Sequence, residues 1–352
     1  MEWAPATDGK GYPHEVTRTS TKARERRVLR CVYDESQFEV IMAGECPDFR
    51  LRRHGDRPFG VEVTEVFPSQ PEARAACIPG YVGELLDGAK PRHKEDATAL
   101  EVVQVQILDP NGNVKAENVP AIFRPHTTVD EYRRLLVGAI SSKGLKRAAY
   151  DRSLEHVNLI VRDHVELLRT GKREDFSRLV LDESLKVAAL GSRYREVFLV
   201  TRIDSANVYV PLVMLSLVAE AYMFDETLAR CDSNDACGLA DASSVMGLLA
   251  QFLCARGFAP LVRRGDDEVE VLLGNVGLVL DEERGLVVRD YSDFQLPEAV
   301  PPPRPGDADW RLPDAVLAVH TQMQDKVEFV SAFVFDVLQS DQDHGPALTQ
   351  SV

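Results

Sequence analysis

Residues 47–67 read PDFRLRRHGDRPFGVEVTEVF, in which two runs of alternating apolar and polar residues flank a His-Gly-Asp turn. Strand-like runs on either side of such a turn predict a β-hairpin. With the turn centred on its glycine, Phe49 faces Val61, Leu51 faces Phe59 and Pro47 faces Val63, which makes one face of the hairpin apolar. A slip of one residue would mix the two faces, so the pattern predicts this register.

The polar face of the hairpin carries two acids side by side. In the same register Asp48 lies opposite Glu62, and Thr64 shares their face. Opposed Cβ atoms are ~5 Å apart, so two carboxylates there repel by about 3 kcal/mol at an effective dielectric constant of ~20. A divalent cation offsets this repulsion, and Mg²⁺ takes one or two carboxylates together with water and phosphate oxygens. Alternatively, Arg50 and Arg52 on the same face pair with the acids, or the face is simply exposed to water.

These residues resemble the motif of the PD-(D/E)XK nuclease superfamily, with Pro-Asp at 47–48 and Glu-Val-Thr at 62–64. In that family the acids hold Mg²⁺ or Mn²⁺, and the lysine of the Glu-x-Lys motif orients the water or stabilises the transition state. The resemblance spans roughly residues 25–215. It implies a restriction-endonuclease-like α/β fold and metal-dependent hydrolysis of phosphodiester bonds, with DNA favoured over RNA as the substrate.

One departure from the family motif bears on catalysis. The lysine position is occupied by Thr64, whose hydroxyl can orient a water but carries no positive charge. Some members of the family place this lysine on a neighbouring helix, and Lys143 and Lys146 lie on one side of a helix predicted over 129–151. We expect one of them to replace the motif lysine, and Glu39, on the preceding strand, to be a third acid at the metal.

Two alternatives to a nuclease remain at this stage. Without a substitute lysine, the chain would keep the nuclease fold as a catalytically inactive binding or scaffold component. A phosphatase-like metal enzyme acting on a small acidic substrate is the second alternative.

Charge is distributed unevenly along the chain. The formal net charge is −15, and nearly all of it lies after residue 175. A phosphate backbone would be repelled there, so we expect nucleic acid to contact the first half, through the basic residues Arg24, Arg26 and Arg27. The acidic second half is a candidate surface for a protein partner.

The composition of successive segments divides the chain into five parts. They are a flexible polar arm (1–24), a nuclease-like α/β domain (25–225), a small acidic α+β domain (240–296), a Pro-rich linker (297–311) and a C-terminal helix (312–340). Strands that alternate with helices predict a mixed sheet with flanking helices. The apolar surface of the C-terminal helix either packs on its own domain or forms a homodimer.

The sequence favours a cytoplasmic protein that does not bind a membrane. No run approaches the ~18 consecutive apolar residues of a membrane span, and the N-terminal residues lack the layout of a signal peptide. Six scattered cysteines fit reduced thiols.

Overall fold

The computed structural model describes residues 14–302, apart from 124–126, 151–152, 166, 168–178, 180–181, 204–205, 231–241, 266–267 and 282–284. In this part of the chain the strands form sheets of six, four and two strands. The predicted class is confirmed: a mixed sheet flanked by helices, with a separate antiparallel sheet after it. The helix predicted over 312–340 lies outside the described residues, as does the linker beyond 302, so the homodimer stays a prediction.

The strands are β1 (Val40–Ala43), β2 (Phe49–Arg52), β3 (Phe59–Val66), β4 (Val102–Leu108), β5 (Val114–Ile122), β6 (Val157–Asp163), β7 (Val197–Ile203), β8 (Ala206–Pro211), β9 (Leu261–Arg264), β10 (Val269–Leu273), β11 (Val276–Asp281) and β12 (Gly285–Asp290). The α-helices are α1 (His14–Leu29), α2 (Gln70–Cys77), α3 (Tyr81–Leu86), α4 (Asp96–Ala99), α5 (Val129–Lys146), α6 (Glu183–Gly191), α7 (Leu212–Arg230) and α8 (Ala242–Ala255). Helix α1 begins at His14, so the part of the predicted arm from 14 to 24 is helical.

The six-stranded sheet has the order β1-β2-β3-β6-β7-β8. Strands β3, β6 and β7 run parallel, and the outer pairs are antiparallel. The β2–β3 hairpin has the predicted register, with Phe49 paired to Val61 and Leu51 to Phe59. The hairpin acids therefore lie near the middle of the sheet, next to strand β6.

Helices cover the two faces of this sheet. Helix α1 packs Leu29 against Val61 and neighbouring apolar residues on one face. Helix α5 buries Leu136 and Ile140 against the other face. Because successive strand residues point to opposite faces, Glu62 lies on the face covered by α5.

The start of helix α5 is fixed by a capping box. The Oγ1 atom of Thr128 accepts a hydrogen bond from the N–H of Glu131, and the Glu131 carboxylate accepts one from the N–H of Thr128. These two bonds satisfy N–H groups that the first turn of a helix leaves unpaired. They set the register of the 18-residue helix, and so the position of every side chain along it.

An insertion module, residues 68–123, lies between strand β3 and helix α5. It contains α2, α3, α4 and the β4–β5 hairpin. Its own apolar core is formed by Ala75, Tyr81, Leu85 and Leu100. The module thus separates, in sequence, the strand that carries Glu62 from the helix that carries Lys143.

The second sheet has the antiparallel order β12-β11-β10-β9 and follows helix α8. Its buried residues belong to the same continuous core as helices α5 and α7. Two amides add polar links, since Asn275 Nδ2 donates to Glu196 Oε2 (2.9 Å) and Asn158 Nδ2 donates to the carbonyl of Ser292 (3.0 Å). The segment predicted as a small acidic domain is therefore packed onto the first sheet.

Candidate functional site

Asp48 lies just before strand β2 and binds two donors. Its Oδ2 atom accepts a hydrogen bond from the N–H of Val63 (3.0 Å), and its Oδ1 atom accepts one from Lys22 Nζ of helix α1 (2.7 Å). The β2–β3 ladder ends at the pair Phe49 and Val61. The Asp48 carboxylate therefore takes the place of a backbone partner for the longer strand β3.

Pro47 departs from the extended position that the hairpin pattern predicts. We expected it opposite Val63, but a Cβ added to Gly60 would lie 2.6 Å from Pro47 Cγ. The proline ring thus rests directly on the backbone of strand β3 at Gly60. This contact requires a residue without a side chain, and it positions the chain at Asp48.

Glu62 is the second acid, and it is 5% exposed in the middle of strand β3. Its Oε1 atom accepts a hydrogen bond from Lys143 Nζ (2.5 Å), and the same ammonium lies 3.3 Å from the carbonyl of Val63. Its Oε2 atom is buried and accepts no hydrogen bond of good geometry among the described residues, although the hydroxyl of Tyr150 lies close enough to interact with the Glu62 side chain. A buried carboxylate oxygen without a well-placed donor is costly, so this oxygen is positioned to bind a further group.

A third carboxylate, which the sequence analysis missed, comes from helix α1. Glu25 Oε2 lies 2.8 Å from Lys22 Nζ, one helical turn away. Burial raises the pKa of Glu25, the bond from Lys22 opposes this, and the charges of Asp48 and Glu62 raise it further. Glu25 is thus close to both hairpin acids.

Two buried tyrosines lie beneath the lysine end of helix α5. The hydroxyl of Tyr194 donates to the carbonyl of Lys143 (3.1 Å) and lies 3.3 Å from the hydroxyl of Tyr150. Burial raises the pKa of both phenols, that of Tyr194 to about 12, and the negative charge of Glu62 contributes to both shifts. The tyrosines stay neutral and hold the end of the helix against the sheet.

The other predicted catalytic residues are divided between the site and the surface. Thr64 is half-buried and lies on the Glu62 face, paired across the sheet with Val161. Lys146 is exposed in the last turn of helix α5, whereas Lys143 is the lysine that reaches the acids.

The prediction of Glu39 as a third metal ligand is wrong. Its carboxylate pairs with Arg52 (3.3 Å) and with His54, beyond the end of strand β2 that is remote from Asp48.

The sequence also left open that arginines neutralise the hairpin acids. Arg52 binds Glu39, and it is lysines that bind Asp48 and Glu62.

The basic stretch of helix α1 is largely engaged by acids of the chain itself. Arg24 pairs with Glu65 (2.9 Å) and Arg26 with Glu35 (2.7 Å), while Arg27 is exposed. The sequence suggested that all three arginines are free to bind a phosphate backbone. In the structure Arg24 and Arg26 are already bound to acids. Arg27 alone of the three is exposed with no ion pair in the described part of the chain.

The acids at this site are oxygen ligands of the kind that a hard divalent cation takes, but they are not assembled into a metal site. Glu25, Asp48 and Glu62 offer only carboxylate oxygens, the ligands that Mg²⁺ and Mn²⁺ prefer, and the buried Glu62 Oε2 accepts no hydrogen bond of good geometry from the described residues. Over the described ranges no three His, Cys, Asp or Glu side chains are close enough together to bind a metal ion. Lys22 lies among the carboxylates instead.

The comparisons with known proteins found no relative. No family model matches the chain, and neither a curated protein nor a solved structure matches it. Among the described helices, none has the length and apolar character needed to cross a bilayer.

Proposed function

We propose that the chain is a metal-dependent nuclease of the PD-(D/E)XK type that hydrolyses phosphodiester bonds in DNA. The observation that carries this proposal is the contact of Lys143 with Glu62. A positive charge thereby lies beside the second acid, although the motif position itself holds Thr64. The mixed sheet, with a helix on each face of its acid-bearing hairpin, further supports a restriction-endonuclease-like fold.

Each residue of the site has a role in this proposal. Asp48 and Glu62 would hold Mg²⁺ or Mn²⁺, with Glu62 Oε2 as the oxygen that accepts no hydrogen bond of good geometry in the described part of the chain. The bound ion would lower the pKa of a water and stabilise charge on the phosphate. Lys143 holds its ammonium where negative charge develops as the water oxygen bonds to phosphorus and the P–O ester bond breaks. The Thr64 hydroxyl, on the same face, orients the water.

The test is cleavage of plasmid DNA, linear DNA and RNA with Mg²⁺ or Mn²⁺. We expect the wild-type chain to cut DNA, and Asp48→Asn and Glu62→Gln to abolish cutting, because each removes a charged ligand at nearly constant shape. Glu39→Gln is the matched control, since it neutralises an acid outside the site. Absence of metal-dependent cleavage by the wild type, or equal cleavage by Asp48→Asn, would contradict the proposal.

A second candidate function is supported by the lysine on Asp48. Lys22 and Lys143 between them neutralise both hairpin acids without any metal. A chain that keeps this closed arrangement would act as an inactive nuclease-fold component that binds nucleic acid or, through its acidic second half, a protein. Metal-independent binding without cleavage in the same assay would favour this candidate.

A further inference from the structure

Lys22 lies within the carboxylate cluster, by which we mean Glu25, Asp48 and Glu62. Its Nζ atom lies 2.7 Å from Asp48 Oδ1 and 2.8 Å from Glu25 Oε2, and it stands 5.9 Å from the centre of the Phe49 ring. Its side chain is 22% exposed. The ammonium is therefore enclosed by two acids and an aromatic face, with a path to solvent.

The oxygens of Asp48 are both in use in this arrangement. Oδ2 binds the N–H of Val63, a group fixed in the backbone of strand β3, and Oδ1 binds Lys22. Only the second of these partners can leave without disturbing the sheet, because the lysine is on a flexible four-carbon stem. A cation that takes Oδ1 must displace the ammonium.

The two lysines of the cluster differ in how firmly they are held. Lys143 contacts both Glu62 and the backbone carbonyl of Val63, so its position is tied to strand β3. Lys22 contacts side chains from a helix and from the segment before strand β2. The cluster contains three carboxylates and two ammonium groups, so it carries one net negative charge. Replacement of one ammonium by a divalent cation would balance that charge.

We propose that Lys22 is an internal counter-ion that competes with a divalent cation for Asp48 and Glu25, so that helix α1 sets the metal affinity of the site. This rests on the metal site of the proposed function. In the closed state the ammonium neutralises the acids and keeps the cluster stable. In the open state Lys22 has turned toward solvent, and Asp48 Oδ1 and Glu25, the two acids that it bound, are available to the cation.

The experiment measures Mn²⁺ binding to the full-length chain in the absence of substrate, by titration with electron paramagnetic resonance of free Mn²⁺. Lys22→Met keeps most of the stem and removes the competing charge. We expect it to bind Mn²⁺ about tenfold more tightly than the wild type, a difference of about 1.4 kcal/mol, because it lacks the positive charge that repels the ion. Lys22→Arg, which keeps the charge, is expected to bind weakly like the wild type.

Arg26→Met is the matched control, because it removes one positive charge from the same helix at a residue paired with Glu35. We expect its affinity to stay within about twofold of the wild type, since exposed charges are screened by salt. Circular dichroism and thermal melting check the fold of each variant, and Lys22→Gln serves in place of Lys22→Met if that variant does not fold.

The outcomes separate this inference from the proposed function. A Lys22→Met chain that binds Mn²⁺ no better than the wild type overturns the exchange, and DNA cleavage by the wild type would then leave the nuclease proposal standing. Weaker binding together with a lower melting temperature assigns Lys22 a structural role and also overturns it. If neither chain binds Mn²⁺, both proposals fall.

Discussion

Lys143 and Glu62 are separated by 81 residues, yet Nζ of the lysine lies 2.5 Å from Oε1 of the glutamate. Lys143 lies in helix α5 and Glu62 in strand β3, and the insertion module separates these two elements in the sequence. In the nuclease proposed above, helix α5 would supply the positive charge that Thr64 cannot.

Replacement of Lys143 tests this substitution directly. We expect Lys143→Met to lower the rate of DNA cleavage by about 10²–10³, the usual effect of removing one stabilising group from a transition state. Lys146→Met, on the exposed side of the same helix, should leave the rate nearly unchanged. Initial rates with Mg²⁺ measure both, and equal losses in the two variants would rule out a special role for Lys143.

Gly60 is predicted to be intolerant of any side chain. A Cβ atom there would lie 2.6 Å from Pro47 Cγ and 3.0 Å from side-chain atoms of Leu154 and Val157. We expect Gly60→Ala to lower the free energy of unfolding by about 1–3 kcal/mol, as overpacking does in well-packed sites, and to displace Asp48. Urea denaturation gives the stability.

Gly138 provides the matched control for Gly60. It lies within helix α5, and an added Cβ would have nothing within 4 Å. Alanine is the better helix former, so Gly138→Ala should raise the free energy of unfolding by about 0.5–1 kcal/mol. A loss of stability in this variant would show that helix α5 tolerates no change, and would weaken the interpretation of the Gly60 result.

The insertion module depends on a buried charge. Asp96 is fully buried and binds Arg74 and the hydroxyl of Tyr81 (2.5 Å), which in turn accepts the N–H of Arg92. Asp96→Ala leaves Arg74 with only the exposed Glu95 (3.4 Å) as an acidic partner among the described residues and leaves the Tyr81 hydroxyl without its acceptor, so it should cost about 3 kcal/mol. Because the module has its own core, we expect trypsin to cut near Arg92 faster while the main sheet stays resistant.

The control for Asp96 is the exposed pair of Glu84 with Arg92 (2.9 Å). Glu84→Ala removes an acid from helix α3 of the same module, but an exposed ion pair contributes under about 1 kcal/mol. Equal protease sensitivity in the Glu84 and Asp96 variants would contradict a special role for the buried network.

His156 makes stability depend on pH. Burial lowers its pKa to about 3, and the charges of Arg195 and Arg147 act in the same direction. The ring stacks on Phe59 at 4.9 Å. Between pH 6.5 and 3 the unfolded chain therefore binds a proton at this residue that the folded chain does not, so stability falls as the pH falls.

The corresponding variant is His156→Phe, which keeps an aromatic ring on Phe59. Each pKa unit is about 1.4 kcal/mol, so the wild type should lose about 3 kcal/mol more than the variant on going from pH 7 to pH 4. Urea denaturation at a series of pH values measures the difference. Parallel curves for the two chains would show that His156 does not titrate in this way.

The hairpin was predictable because its two apolar pairs admit one register. The same reasoning failed at the end of the ladder, where Pro47 was placed opposite Val63. Alternation describes a regular strand, and it does not anticipate that the Asp48 side chain replaces the backbone as partner of Val63. The role of Glu39 was predicted wrongly because its partners come from other segments of the chain. Arg52 belongs to the neighbouring strand β2, and His54 to the turn that follows it.

Helical spacing could have separated the two candidate lysines. Lys143 lies three residues after Ile140 and seven after Leu136, both fully buried, and so continues their stripe. Lys146 lies off that stripe and is exposed. Lys22 and Glu25 were missed because their helix was considered only as a phosphate-binding stretch, and their contacts with Asp48 and Glu62 depend on tertiary packing.

The place of the insertion module has a consequence for synthesis on the ribosome. Strand β3 finds β2 at once, whereas its parallel partner β6 and the lysine of helix α5 are translated only after the whole module. Pairing across so long a stretch of chain is slow. A nascent chain therefore carries the acids without Lys143, and any activity that needs this lysine must await the emergence of helix α5 from the exit tunnel.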